Sequence, residues 1–505
     1  MMQATRQQKS STSAHGLSSR VKIMYGVGEI ANAVKTVTFA LYGLFFATVV
    51  KGLPGTWIGV VAFVSMLWDA FMDPYVGHLT DGAQAKSKRF KFMLAGILTM
   101  GAGLWGFFSP PHGLSTFPLF AWLLMASFLL RTATSMFSIP YYALGVNLSR
   151  DYHERTSITG IRNMASAIGT LLAASLSFIV FFREKVAGVD PKLDPTAYSA
   201  MGLTFGVMMT AAAFTAWSGT LPLRHSLEGG SRPMQQAPGN FLGSMRESLR
   251  NPSFRIILTS FFLVVVGLAV NASLLIHYLK YYVEINGSVA LGSTQAAFYT
   301  AGLLGTVFWL RISRKFDKHH LYIFSAAVTA VLMLGGLALF GQGHPLGTGN
   351  IRPLLMGYGC AGFFGCMLWF LPPSMLADVT DESELITGRR REGALFGMLG
   401  FCKQVATGVA ILLAGGLLDR FVGPVAGKSQ LSGVAVFRIG IVYSVVPAAL
   451  FTAAAILMLN YKLTRSRVEL IQVELRQRRT ANDAAAEGEL TAVEISGEEQ
   501  VKEIG

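Results

Sequence analysis

The chain has 505 residues, of which 52% are hydrophobic and 14% charged, with a formal net charge of +14. A water-soluble domain carries about a quarter of its residues as Asp, Glu, Lys and Arg, so this composition excludes a soluble globular fold. The basic residues lie in short connections and tails rather than on one folded face, which excludes a nucleic-acid partner and points to the lipid bilayer.

The first 22 residues are polar, with Arg6, Lys9, Arg20 and Lys22 and no apolar h-region, so the first helix itself is expected to direct insertion. Apolar runs of about 20 residues then recur, each long enough to cross a hydrocarbon core of roughly 30 Å. They predict twelve spans: Ile23 to Val50, Thr56 to Leu79, Phe92 to Phe108, Phe117 to Leu148, Ser157 to Phe182, Tyr198 to Leu221, Phe254 to Val283, Thr294 to Ile312, Leu321 to Phe340, Pro353 to Leu376, Ala394 to Leu418, and Phe437 to Tyr461. Every second connection is rich in Lys and Arg, including Lys86, Lys88, Arg89, Lys91, Arg150, Arg155, Arg224, Arg314, Lys315 and Arg389 to Arg391. The positive-inside rule then places both termini in the cytoplasm.

A longer polar connection, with Gly229, Gly230, Pro233 and Pro238, divides the spans into two sets of six. The expected organisation is a cytoplasmic tail over 1–22, a six-helix bundle over 23–222, a linker over 223–252, a second six-helix bundle over 253–462 and a cytoplasmic tail over 463–505. The halves echo each other: Ile139-Pro140-Tyr141-Tyr142 and Leu371-Pro372-Pro373-Ser374 each lead into a loop of mixed charge. Two such halves around a central site form the plan of many secondary transporters. In the last tail, Lys462 to Arg479 reads either as an amphipathic helix on anionic headgroups or as a solvated extension. The segment from Ala484 onward is acidic and rich in small residues and is expected to be disordered.

Polar groups at bilayer depth carry the chemistry, because lipid-facing positions exclude them. Asp69 and Asp73 stand four residues apart in Trp68-Asp69-Ala70-Phe71-Met72-Asp73-Pro74 and share one helix face. A paired acid face implies a cation or a proton to share; a buried structural ion pair is the alternative. Glu29, Asn32, Lys35 and Thr36 populate the first span, and the spacing of Glu29, Asn32 and Thr36 puts them on one stripe. Arg131, Ser135 and Ser138 stripe the fourth span. Counted from the outer ends, Arg131 lies near the depth of Asp69 and Ser135 near that of Asp73. Arg131 reads as a counterion for Asp69, as a contact to an anionic solute, or as a donor to carbonyls near a kink.

In the second half, Asn271, His277, Lys280, Trp369, Lys403 and Gln404 lie within apolar runs. A lone His is more often a packing residue, but an ammonium inside such a run needs a partner or a cavity, and Trp369 offers a flat face for apolar or cationic groups. Asp81 and Arg89, Asp151, Glu154 and Arg155, and Asp378 and Arg390 are expected to latch the cytoplasmic gate. Cys360, Cys366 and Cys402 fall in apolar runs and suggest core packing rather than a disulfide or metal site. There is no Walker loop, nucleophile elbow, HExxH, CxxC or EF-hand spacing. The expected driving force is therefore an ion gradient, with no cofactor.

Four motifs together resemble one family. They are Tyr25-Gly26-Val27-Gly28, the Trp68 to Pro74 segment, Ile139-Pro140-Tyr141 through Asp151-Tyr152-His153-Glu154-Arg155-Thr156, and Ala377-Asp378-Val379 through Gly388-Arg389-Arg390-Arg391-Glu392-Gly393. The chain resembles the glycoside-pentoside-hexuronide:cation symporters, the melibiose-permease-like branch of the major facilitator superfamily, over most of its twelve-helix region. The resemblance implies an all-α major facilitator fold and a multi-pass location in the bacterial inner membrane. It implies alternating-access symport of a small solute with H+ or Na+, with Asp69, Asp73 and Ser135 at the cation site and no metal beyond Na+. The solute expected first is a glycoside, oligosaccharide or uronide; a lysophospholipid or other anion is the second expectation, since a lysophospholipid branch shares the Asp-x-x-x-Asp-Pro motif. Solute contacts are expected from Asn32, Lys35, Arg131, Ser138, Tyr142, Arg162, Trp369, Lys403 and Gln404, in a chain acting as a monomer.

The departures are specific. Ala33 and Ser138 stand where sugar-gripping acids are found in the family. Met72 replaces an Asn, removing a coordinating oxygen and favouring protons over sodium. The family's lysine of the eleventh helix aligns with Gln404, leaving Lys403 rotated by about 100°. A membrane receptor or a lipid-directed enzyme is the reading from another class, and an enzyme would need a catalytic constellation near an interface.

Overall fold

The structure, a computed structural model, describes residues 17–81, 89–149, 152–183, 190–224, 248–285, 287–313, 315–388, 392–426, 428 and 430–478. Among these residues there is no strand. Twelve long helices follow one another: α1 over 19–50, α2 over Gly55–Asp81, α3 over Arg89–Phe108, α4 over Thr116–Asn147, α5 over 152–180, α6 over Pro195–Thr220, α7 over Pro252–Tyr282, α8 over Ser288–Ile312, α9 over Lys318–Leu339, α10 over Ile351–Thr387, α11 over Glu392–Val422 and α12 over Gly433–Met458. Among the described residues, ten are by themselves long and apolar enough to cross a membrane, and α1 and α8 complete the expected twelve.

Local chemistry sets the ends. Asn251 caps α7 by accepting from Phe254 N at 3.1 Å, with Pro252 in the first turn, where its missing N–H costs nothing. Asp194 and Pro195 repeat the device at α6. Several helices outrun their apolar stretches: α8 begins at Ser288 rather than Thr294, α5 at Tyr152 rather than Ser157, and α10 continues through Asp378 to Thr387 rather than ending at Leu376. Hydropathy marks the part of a helix inside hydrocarbon, not the polar turns beyond it. Gly388, at φ 69°, ends α10 in a left-handed cap.

Helices α1 to α6 form one half and α7 to α12 the other. In the first, α3 packs on α4 and α6, α2 on α4, and α1 on α5 and α6; in the second, α8 packs on α10, and α12 on α7 and α9. The halves meet through α2 on α11, α1 on α7 and α5 on α8. These junctions concentrate at the face away from the two chain ends. Gly55, in the first turn of α2, meets Gly415 near the end of α11 backbone to backbone, and Gly59 lies against Leu412. Gly292 of α8 sits against Ser175 O and Ile179 of α5. The middles of α4 and α10, the Pro-bearing fourth helices of each half, make no comparable junction among the described residues.

The basic tail continues as helix α13 over 465–478, docked beneath the second half. Ile471 and Leu475 are buried there, Arg465 N donates to Asp317 Oδ1 at 2.7 Å, and Gln472 donates to Asp381 at 3.1 Å. Of the cysteines, Cys402 is buried and Cys366 half-buried, but Cys360 is exposed on the bundle surface, so core packing describes only part of the set.

Candidate functional site

The acid face of α2 meets α4 at the expected depth. Arg131 Nη1 donates to Asp69 Oδ2 at 2.8 Å, and both residues are 6% exposed. Ser135 Oγ lies 3.2 Å from Asp69 Oδ1 and 2.6 Å from Asp73 Oδ1, bridging the two acids. Of the three readings for Arg131, this contact fits that of a counterion for Asp69. Removing either partner of such a buried pair leaves an uncompensated charge.

Asp73 differs. Its second oxygen, Oδ2, accepts from Gln404 Nε2 of α11 at 3.2 Å, a hydrogen bond from one half to the other. Gln404, read from sequence as a solute contact, is thus a ligand of the acid. Its neighbour Lys403 points elsewhere, placing its ammonium 5.4 Å from the centroid of the Trp369 ring.

A second cluster gathers around Glu29. Tyr142 OH donates to Glu29 Oε1 at 3.1 Å and accepts from Asn32 Nδ2 at 3.0 Å. Arg162 approaches Glu29 Oε2 at 3.6 Å and lies over the Tyr142 ring at 5.1 Å. Lys35 donates to Thr134 Oγ1 at 3.1 Å, beside the Ser135 bridge. Ser138 turns its hydroxyl to its own helix, donating to Thr134 O at 2.7 Å. Glu29 is not among the expected solute contacts although its stripe with Asn32 points to it; it stands one turn before Ala33.

Of the residues expected to latch the face carrying the chain ends, Arg89, Glu154 and Asp378 have contacts within their own halves. Glu154 binds Lys22 at 2.8 Å and accepts from Ser149 and Leu17 N. Asp378 binds Lys318 at 2.6 Å, and Arg89 Nε donates to Thr80 O at 2.7 Å. Asp151, Arg390 and the side chains of Asp81 and Arg155 lie outside the described residues.

The opposite face is where the halves are bound; of the residues there, the sequence singled out Lys280 and His277 but not Asp419 or Asp190. Asp419 of α11 accepts from Gly55 N, Thr56 N and Thr56 Oγ1, each at 2.7 Å, capping the start of α2. Asp190, between α5 and α6, pairs with Lys280 of α7 at 2.8 Å and approaches Lys192 at 3.6 Å. Burial would raise the Asp190 carboxyl, but Lys192 and Lys280 hold it below the usual carboxylate value. His277, expected to pack, lies 3.3 Å from Thr48 of α1 and edge-on to Phe45. Asp317, His319 and His320 bring ligand atoms within 4.8 Å of one another at the start of α9, where Asp317 already anchors α13.

The family model described as MFS/sugar transport protein matches residues 24–465. An uncharacterized symporter of Synechocystis sp. is 22% identical, over 94% of this chain and 99% of that protein. YagG of Escherichia coli (strain K12), nominally a glycoside/cation symporter, is 24% identical over 94% of this chain and 99% of its own. A nominal sulfoquinovose importer of Salmonella typhimurium is 24% identical over 93% and 95%. Among solved structures, the inward-open xylose transporter XylE from E. coli superposes with a TM-score of 0.56 at 13% identity, over 90% of this chain and 97% of that one, which is a likeness of fold.

Proposed function

The chain belongs to the MFS/sugar transport protein family, and on that premise we propose that it is a proton-coupled symporter of a sugar-like solute, with Asp73 as the proton-carrying acid. It is a multi-pass integral membrane protein, and we place the chain ends in the cytoplasm of a bacterial cell. The observation that carries the choice of ion is the Asp69–Arg131 pair. With Asp69 neutralised by a fixed guanidinium, Asp73 is the acid of the pair left to exchange a cation. Sodium would need several oxygen ligands, yet Met72 offers none and Arg131 stands close by as a competing positive charge. A proton needs only one carboxylate oxygen.

The hydrogen bonds also support a coupling step. Asp73 Oδ1 lies 2.6 Å from Ser135 Oγ, and Oδ2 accepts from Gln404 Nε2. A proton arriving on Oδ2 replaces the Gln404 donor and releases one cross-half bond between α2 and α11. The solute is read as a glycoside, oligosaccharide or uronide, contacted by Glu29, Asn32, Tyr142, Arg162, Trp369 and Lys403. Relatives named for glycosides and sulfoquinovose support this class. Transport rather than catalysis is supported by the depth of the polar groups, which cluster inside the bundle and not at an interface.

The experiment is uptake of radiolabelled sugars into proteoliposomes under an imposed proton or sodium gradient. The proton gradient is expected to drive accumulation, with no added response to sodium; sodium-driven accumulation without proton dependence would sink the assignment.

A further inference from the structure

At the start of α9, away from the coupling acids, we infer that Asp317, His319 and His320 form a binding site for a divalent transition ion of the zinc class, and that the bound ion fastens the tail helix α13 to the second half.

The helix opens as Asp317-Lys318-His319-His320. Successive side chains within a helix diverge by about 100°, which would carry two adjacent imidazoles away from a common ion. Here the first turn is only beginning. Asp317 is the N-cap, with extended backbone at φ -63° and ψ 133°, and its carboxylate makes no capping bond to the helix. The rings of His319 and His320 approach to 4.1 Å between centroids, and Asp317 Oδ2 lies 3.8 Å from His320 Nδ1. One ligand atom from each of the three residues lies within 4.8 Å of the others. Atoms that share a tetrahedral zinc ion stand about 3.3 Å apart, given bonds of about 2.0–2.1 Å, so the cluster has to close by at most about 1.5 Å. The His320 side chain, 67% exposed, has room to turn that far.

His319 supplies what a surface ion pair alone does not. It is 7% exposed, its ring lies 5.9 Å from that of Tyr461, and its Nδ1 is buried with no hydrogen-bond partner among the described residues. A buried polar atom left unanswered is costly, and a neutral imidazole nitrogen is a common metal ligand. The helix dipole opposes any cation at the start of α9, and the charge of Lys318 is met by Asp378 at 2.6 Å. Calcium and magnesium ask for several oxygens and would find one carboxylate. Two imidazoles and a carboxylate suit zinc, nickel or copper instead, with water completing the shell. Asp317 divides its oxygens: Oδ1 accepts from the backbone N of Arg465, the first residue of α13, at 2.7 Å, while Oδ2 faces His320. An ion on Oδ2 leaves the tail bond intact and holds the carboxylate in the orientation that the tail requires. Ion binding and tail docking then favour each other by mutual linkage.

The test uses the full chain, purified through a histidine-free tag, stripped with chelator and titrated with zinc ion in a calorimeter. Saturable binding of one ion at this site is expected, with calcium and magnesium inert at the same concentration. His320→Gln is expected to weaken binding by about tenfold or more while melting as the parent does in chelator. His112→Gln, an exposed histidine in the connection between α3 and α4, is expected to leave binding unchanged. Trypsin cleavage after Arg467 and Arg476, both exposed on α13, is expected to slow about fivefold with zinc in the parent and not in His320→Gln, within the usual range of such couplings. No saturable binding, or an equal loss in His112→Gln, overturns the site, and equal binding of calcium overturns the ion class. Zinc binding that depends on His320 but leaves trypsin cleavage unchanged overturns the clamp on α13 and leaves the ion site standing. Neither readout involves transport, so the result is independent of the symport reading.

Discussion

Gln404 of α11 reaches across the seam between the halves and donates to Oδ2 of Asp73 on α2, the oxygen that Ser135 leaves free. The acid proposed to carry the proton is therefore also a mechanical link between the two bodies that must move. If that link senses the proton, Gln404→Leu separates movement from protonation. Exchange of labelled solute across a gradient-free membrane is expected to persist, while accumulation against a gradient falls about tenfold. Equal losses of both would show that Gln404 only packs.

Asp73→Asn keeps the shape and removes the ionisation. Proton-driven accumulation is expected to vanish while gradient-free exchange survives, measured in the same vesicles. Asp69→Asn should behave differently, because it strands the Arg131 guanidinium in a buried site. Breaking a buried pair costs about 3–5 kcal/mol, so a clear drop in melting temperature and folded yield is expected, read by fluorescence-detected size exclusion on heating. A stable Asp69→Asn protein would mean that the pair is solvated.

At the opposite face, Asp419→Ala removes an acceptor shared by two amides and a hydroxyl. Loss of a helix cap costs about 0.5–2 kcal/mol, enough to raise the open population roughly tenfold. A cysteine introduced at Thr48, buried in that seam, should react with a membrane-impermeant maleimide several-fold faster in the Asp419→Ala background. An unchanged rate would show that the cap does not hold the face shut.

The Asp190 bridge gives a pH prediction. Its carboxyl is lowered on folding, so the stabilisation it contributes is complete above the unfolded value of 3.8 and is lost as pH falls through the lower folded value. Labelling at the Thr48 position should be flat between about pH 5 and pH 8 and rise only in stronger acid. In Lys280→Met the bridge partner is gone, and labelling should be fast throughout the range. A rise already near pH 6 would assign the sensitivity to another group.

Much of this was legible in the chain. The twelve apolar runs showed the number of crossings because hydrocarbon demands length and apolarity from each helix. Counting residues along α2 and α4, which run the same way, put Arg131 at the depth of Asp69 and Ser135 at that of Asp73, but that the two helices are neighbours came only from the fold. The seam was not legible. Asp419 and Gly55 are separated by most of the chain, and nothing in either neighbourhood marks a partner; their contact arises from how the halves dock, a property no local spacing carries. For the same reason Gln404 read as a solute contact, since its rotation about α11 was visible but the body it faces was not. Glu29 lay between: its stripe with Asn32 marked the face, but no local spacing carries the approach of Tyr142 and Arg162 from other helices.

The contact of Gly55 with Gly415 also bears on how this sequence can drift. A methyl group at either position would run into the backbone of the other, with Gly55 meeting the Gly415 carbonyl and Gly415 meeting the Gly55 carbonyl. Most clashes in a core can be relieved by shrinking the opposing side chain, so a lineage has a second-site escape. Here the obstacle is main chain on both sides and no smaller residue exists. Neither glycine can change first and await rescue by the other; only a shift of a whole helix would restore room. The pair is an evolutionary dead end that can be kept but not traded, and a suppressor screen on Gly415→Ala should return revertants or changes that move α2 or α11, never a substitution at Gly55.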